Sequence, residues 1–480
     1  MFARRRARGL DDDHLVALAA TMNEGMSLAD PPDVPPGSAL PAGYTYLGQL
    51  IDHDLTSDRR LFQGGLAGAT PIQNFRTPQF DLDCLYGDGP ESGDADLYDP
   101  DRLHLRVATH DLARRPDGRA HIKDPRNDSN RIVSQLHLAF ARFHNRVVDD
   151  LGTAGGAGTA ERFASARTVV RRHYQWVVLH DFLRRIVSGD LVDSILGTGA
   201  ADARANLKLL APSATPKMPF EFSAAAFRFG HSMVRSAYEL NSRSGQILVF
   251  DRAQPTGSAA DDLRGFRPMP ESLAIEWDHF FPMPGADPLK LQPARPIDTL
   301  IARPLFELPV SVAQHATDKG RRLPYRNLHR GETDLTLPSG QEVALEMRHL
   351  SVPGAATMKI LGPETPFQIE PGQLTGDGES EANLGGTGIG KAELEGRLNA
   401  ATPLWYYVLK EAAESHGGHR LGPVGGRIVA EVVISLMLSK PDGLSILEPA
   451  WRPTQGEFGC KTTGAYRMVD FLGYAGSGSA

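Results

Sequence analysis

At 480 residues with 41% apolar residues, 49 glycines and 35 prolines, the chain can bury a large core and reads as a soluble globular protein rich in loops. Its formal charge of −7 is scattered in both signs, and no basic run extends beyond Arg4-Arg5-Arg6, which argues against a nucleic-acid face. Two cysteines, Cys84 and Cys460, exclude a secreted disulfide framework and leave a single bond open.

Residues 1–40 are polar, turn Pro-rich at Asp30-Pro31-Pro32-Asp33-Val34-Pro35-Pro36, and read as an N-terminal arm. Asp11-Asp12-Asp13-His14 interrupts the apolar run that a secretory signal needs, and no window approaches a transmembrane span. A cytoplasmic location is therefore the default expectation, with export by another route left open. Residues 41–480 read as one domain.

That domain opens on Gly48-Gln49-Leu50-Ile51-Asp52-His53-Asp54-Leu55-Thr56. In a helix, Gln49 and His53 share one face as i,i+4 neighbours while Asp54 points elsewhere. A histidine beside an amide suits proton transfer, and a carboxylate on the other side suits a hard cation. On composition alone the stretch also reads as a charged surface turn. Residues 63–100, rich in Gly, Asp and Pro, read as an extended loop. Within it Thr77, Gln79, Asp81 and Asp83 put oxygen at every second position, so alternate oxygens share one side, as a calcium site requires. Asp54 is the candidate partner carboxylate; an exposed acidic loop is the plainer reading.

Val133, Leu136, Phe140, Phe143 and Val147 then mark one face of a long helix, with Asp128-Ser129-Asn130 as capping residues. Arg126 just before it gains nothing from the helix dipole, so its charge either serves something else or sits on the surface. Asn127-Asp128-Ser129 is formally a glycosylation sequon, of little meaning without a secretory signal. Residues 160–188, 223–237, 401–416 and 424–438 read as further helices, and Gln246–Phe250 as the best strand. The class is mainly α, a helical core with long loops and little β. Residues 365–396 read as a polar surface excursion. The run Gly385-Gly386-Thr387-Gly388-Ile389-Gly390-Lys391-Ala392 in it lacks the Ser or Thr of a phosphate-binding loop, and reads as a flexible loop.

Two later histidine and arginine motifs remain. His231, in Phe227-Arg228-Phe229-Gly230-His231, is either a core histidine or an axial haem ligand. In Tyr325-Arg326-Asn327-Leu328-His329-Arg330, Asn327 and Arg330 are i,i+3. The asparagine can accept from a metal-bound imidazole and the arginine can hold a carboxylate.

Together these stretches resemble the peroxidase–cyclooxygenase superfamily, the animal-type haem peroxidases, and most closely its bacterial members. The resemblance runs from Gly48 to about Arg330 and continues through Thr402–Tyr407 and Leu421–Arg427. It implies a haem-dependent peroxidase fold, mostly helical. It also implies haem b, calcium, and reduction of hydrogen peroxide through a ferryl intermediate at the expense of small aromatic donors or halide and pseudohalide. His53 corresponds to the distal histidine, Gln49 to its neighbour and Arg126 to the distal arginine. His231 corresponds to the proximal iron ligand and Asn327 to the group accepting from it. Arg228 and Arg330 correspond to propionate-holding residues, and Asp54, Thr77, Gln79, Asp81 and Asp83 to the calcium ligands. Mammalian members esterify haem through an aspartate and a glutamate; Asp52 stands at the first position but Ser129 at the second, so at most one ester is implied. Asn130 replaces a methionine that forms a sulfonium link in one mammalian member, which weakens the case for chloride oxidation. Asp83 stands where mammalian members use serine. Fatty-acid oxygenases of the superfamily place a radical-forming tyrosine three residues before the proximal histidine, where this chain has Arg228. That alternative is disfavoured, and a haem-poor, calcium-stabilised binding protein is the reading from another class.

Overall fold

The computed structural model describes residues 1–2, 10–23, 40–57, 74, 76–153, 158–250, 262–310, 312–313, 316–356, 358–362, 364–369, 381–439 and 444–476. The Pro-rich stretch 30–36 and the loop segments 63–73 and 370–380 lie outside them.

Asp11 caps the first helix, α1 (Asp12–Ala20), by accepting the His14 amide, with Asp12 and Asp13 in the first turn where the dipole favours them. Leu15, Ala17 and Leu18 are fully buried, so this part of the arm is a core helix rather than a lead-in. The stretch expected to be helical around Gln49 forms α2 (Gly43–Leu55). Its start needs glycine. A Cβ at Gly43 would stand 2.4 Å from the Phe281 ring and 2.6 Å from the Phe280 carbonyl. The Gly43 amide donates to that carbonyl at 2.9 Å, which fixes where the helix begins.

Leu47, Leu50 and Ile51 turn α2 onto α3 (Arg131–Thr153), whose Val133, Leu136, Phe140, Phe143 and Val147 are all buried as their spacing predicts. α3 packs on α4 (Thr159–Val177). The helix expected over 160–188 is broken by a π turn at Val178–Phe182 before it resumes at Leu183–Ile186. Buried Asp181 in that turn accepts from Tyr44 of α2 (2.8 Å), Arg185 (2.7 Å) and the Met468 amide (2.9 Å).

The helix expected over 223–237 does not form as such. A π turn at Glu221–Ala225 gives way to a 3-10 turn at Ala226–His231, then to strand β1 (Ala237–Glu239). β1 pairs antiparallel with β2 (Gln246–Leu248), the first part of the expected strand. The irregular Ala226–His231 segment is held between α2 and two later helices, α7 and α8. In order, α5 is Leu323–His329, α6 Lys391–Ala400, α7 Leu404–His416, α8 Pro423–Ser439 and α9 Met468–Tyr474. The expected flexible loop at 385–392 is instead a turn with Gly385 and Gly386 at φ 62° and 72°, running into α6 with Leu394 and Leu398 buried. Cys84 and Cys460 are both free and buried. No described helix is long and apolar enough to cross a membrane.

Candidate active site

His53, on the last turn of α2, is 6% exposed. Its Nδ1 lies 2.7 Å from Asn127 Oδ1, and Asn127 Nδ2 lies 3.0 Å from His137 Nδ1 on α3. An amide nitrogen only donates and an amide oxygen only accepts. His53 therefore carries its proton on Nδ1, and Nε2 remains as the acceptor. Burial, reinforced by the nearby Arg126 charge, lowers the His53 pKa to about 4, so the ring is neutral at pH 7. Asn127 and His137 escaped the sequence reading. Asn127 was visible only as a sequon and is fully buried, and His137 looked like one more residue of the buried face of α3.

Arg126 stands beside His53 but is already engaged. Its Nη2 donates to the carbonyls of His53 (2.9 Å) and Thr56 (2.5 Å) and to Asp124 Oδ2 (2.6 Å), and Nε donates to both Asp124 oxygens. Nη1 is the nitrogen not committed to these partners. Although burial opposes it, Arg126 holds the Asp124 carboxyl far below its usual range. Arg76 donates to the same carboxylate (2.6 Å) and pairs with Asp83 (3.0 Å), so it ties this site to the 76–83 loop. Gln49 is half-buried; Asp52 is half-buried and accepts from the Thr56 hydroxyl at 3.1 Å.

Asp54 points to the other side of α2, as its offset from His53 requires. One ligand oxygen from each of Asp54, Asp81 and Asp83 can be chosen so that all lie within 4.8 Å of one another. Both oxygens of Asp54, and Oε1 of Gln79, are buried without a hydrogen-bond partner. Burial, then the Asp81 and Asp83 charges, push the Asp54 carboxyl well above its usual range. Three carboxylates gathered this way call for a cation. Leu82 between two of them sits in the left-handed region at φ 57°. Thr77 fits less well: its side chain is exposed and its carbonyl takes the Gln79 amide at 2.8 Å.

On the opposite segment, His231 Nδ1 lies 2.9 Å from Asn327 Nδ2, and Arg228 Nη1 donates to Asn327 Oδ1 at 2.6 Å. This differs from one expectation. Asn327 donates to His231 rather than accepting from it, because Arg228 has taken its one acceptor. Arg228 bonds Asn327 through Nη1 and the Ser223 carbonyl through Nε (3.1 Å). Burial, with Arg228 and Arg326 next, lowers the His231 pKa to about 3, yet the ring keeps some accessible surface. Beside it, a Cβ added to Gly230 would meet nothing within 4 Å. A deeply set histidine facing open space fits an iron ligand. Arg326, missed in the sequence, has its pKa lowered by burial and by the neighbouring Arg330, a crowding of cations that suits haem carboxylates.

The chain is similar to known proteins over part of its length. The sequence model of the animal haem peroxidase family matches residues 99–256, which takes in Arg126 and His231. Peroxidase mlt-7 of Caenorhabditis elegans is 30% identical over 118 residues, 24% of this chain and 15% of its own length. Thyroid peroxidase of Rattus norvegicus is 27% identical over 207 residues, 37% of this chain and 21% of its own. The chain thus matches less than a quarter of the length of these curated relatives. Among solved structures, peroxidase A from Dictyostelium discoideum shares the fold with a TM-score of 0.55 at 16% identity, over 92% of this chain and 84% of that one. The fatty acid alpha-dioxygenase of Arabidopsis thaliana does so at 0.55 and 14% identity, over 91% and 71%. The likeness to the animal haem peroxidase family thus extends over residues 99–256, about a third of the chain, within a fold shared with peroxidase A.

Proposed function

We propose that this chain is a haem peroxidase that binds haem b between His231 and His53, reduces hydrogen peroxide and oxidises small aromatic donors or halide and pseudohalide. The observation that carries the reading is the His53–Asn127–His137 chain, which leaves a neutral imidazole with Nε2 as its acceptor. His53 Nε2 takes the proton from the near oxygen of peroxide and returns it to the departing oxygen, acting as base and then acid. Asn127 keeps the ring in the tautomer this needs. Arg126 braces the last turn of α2 through the His53 and Thr56 carbonyls, and Nη1 is free to meet negative charge on the leaving oxygen. Haem bound here supplies the redox-active iron, with His231 Nε2 as its ligand and Arg326 and Arg330 for its carboxylates. Asp52, beside His53, is the position for a single ester link.

Calcium belongs at Asp54, Asp81 and Asp83 with the Gln79 side-chain oxygen, where it neutralises the gathered charge and fixes the 76–83 loop to the back of α2. Membership of the bacterial branch and a cytoplasmic location stay part of this proposal.

An absorption spectrum of the full chain reconstituted with hemin tests the reading. A Soret band that shifts on adding peroxide, peroxide-dependent oxidation of a phenolic dye, and loss of the band in His231→Ala are expected. Protein that stays colourless sinks the proposal and leaves the binding-protein reading. The dioxygenase neighbours keep a second reading in play; oxygen uptake with linoleate and no reducing donor would favour it, and Arg228 in place of the radical-forming tyrosine speaks against it.

A further inference from the structure

A second group of ligands lies away from α2's two faces, in the turn Glu276-Trp277-Asp278-His279. Ligand atoms of Glu276, Asp278 and His279 lie within 4.8 Å of one another. His279 is 2% exposed, and neither of its ring nitrogens has a hydrogen-bond partner; Asp278 Oδ1 is buried and unpartnered as well. A neutral imidazole always carries one N–H and one lone pair, so burying both without partners is unfavourable unless something else occupies them. The neighbours are arranged around that gap. Glu276 Oε2 stands 3.7 Å from His279 Nε2 and accepts from the Ser242 amide (3.1 Å) and hydroxyl (2.7 Å). Lys290 Nζ holds the other Asp278 oxygen, Oδ2, at 3.0 Å and lies 3.8 Å from Glu276 Oε2. On the far edge of the ring, Glu239 Oε2 lies 4.0 Å from Nδ1.

We propose that Glu276, Asp278 and His279 form a second metal site that takes a borderline divalent cation, of which zinc is the type. The metal would sit at His279 Nε2, Asp278 Oδ1 and Glu276, leaving the Nδ1 proton toward Glu239 in a carboxylate–histidine–metal arrangement. Imidazole among the donors selects against calcium, which takes oxygen, so the two sites discriminate by chemistry. Lys290 and Ser242 fix the carboxylates from outside and offset part of their charge.

The site has a structural purpose. Glu276 N bonds the Leu240 carbonyl, the His279 carbonyl accepts from Gln292 N, and the next carbonyl, Phe280, starts α2 at Gly43. A metal here pins the loop from which the His53 helix begins.

The test uses the full haem-loaded chain, stripped with a chelator and returned to excess calcium, then titrated calorimetrically with zinc chloride. One zinc per chain and a raised Tm are expected in the wild type. His279→Gln and Asp278→Asn should each weaken zinc by at least about tenfold, and Asp54→Asn should leave it unchanged. No zinc uptake by the wild type in excess calcium overturns the proposal. So does unaltered affinity in His279→Gln or, should that variant not fold, in the isosteric Asp278→Asn. The result stands or falls apart from the peroxidase reading, because zinc binding and Tm do not depend on turnover.

Discussion

His53 is buried and His231 half-buried, each is held neutral and met at Nδ1 by an asparagine, but the two asparagines are turned in opposite senses. Asn127 offers its oxygen to His53, because His137 draws its nitrogen the other way. Asn327 offers its nitrogen to His231, because Arg228 has claimed its oxygen. A carboxamide has one accepting end and one donating end, so the group behind it decides which end the histidine sees. The ring proton of His53 is thereby fixed on Nδ1, whereas Asn327 as placed leaves His231 Nδ1 an acceptor, and iron bound at Nε2 would require Asn327 to turn over and take an Nδ1 proton instead. Base and ligand differ through a residue that touches neither reacting atom.

The largest break in this comparison is His53→Ala, which removes the base: peroxide cleavage should slow about 10²–10⁴-fold with haem retained, as read by stopped-flow absorbance. The same assay on the wild type should lose rate as pH falls through about 4, where Nε2 takes a proton and ceases to be a base. Asn127→Leu keeps His53 but releases its ring, and a misplaced base should cost about 10²-fold at unchanged Soret intensity. Arg228→Leu frees Asn327 to turn over and accept from His231. Haem affinity should rise about 10-fold and the ferric/ferrous potential should move, while an unchanged potential would mean that Arg228 does not set the amide. The smallest effect concerns the back of α2. A calcium chelator should lower the Tm of the wild type and leave Asp54→Asn unmoved, removing about 2.7 kcal/mol if free calcium stood at 100 times its Kd. A wild-type Tm indifferent to chelator would count against a calcium site.

Much of the fold was legible because long amphipathic faces advertise themselves: Val133 to Val147 read as one side of a helix and are buried as one. The failures cluster where local pattern and tertiary setting part. Leu15 to Ala20 followed an acidic run and passed for an arm. The stretch before His231 has helical spacing but coils irregularly between α2, α7 and α8. At the site, residue types were readable and hydrogen-bond directions were not. Nothing in the order Phe227-Arg228-Phe229-Gly230-His231 shows that Arg228 reaches an asparagine 99 positions away, and that reach reverses the expected bond. Asn127 and Arg326 were adjacent to singled-out residues and hidden by them.

Leu82 carries a last implication. A leucine at φ 57° costs about 1–2 kcal/mol relative to ordinary backbone. Its side chain is 1% exposed, and burial of a leucine contributes about 1.5–3 kcal/mol, enough to offset that cost. The kink that sets Asp81 and Asp83 side by side is therefore anchored by a buried side chain as well as by the Arg76–Asp83 ion pair. A cation bound there adds to a turn already held by packing, so its uptake should leave the helix content of the protein unaltered.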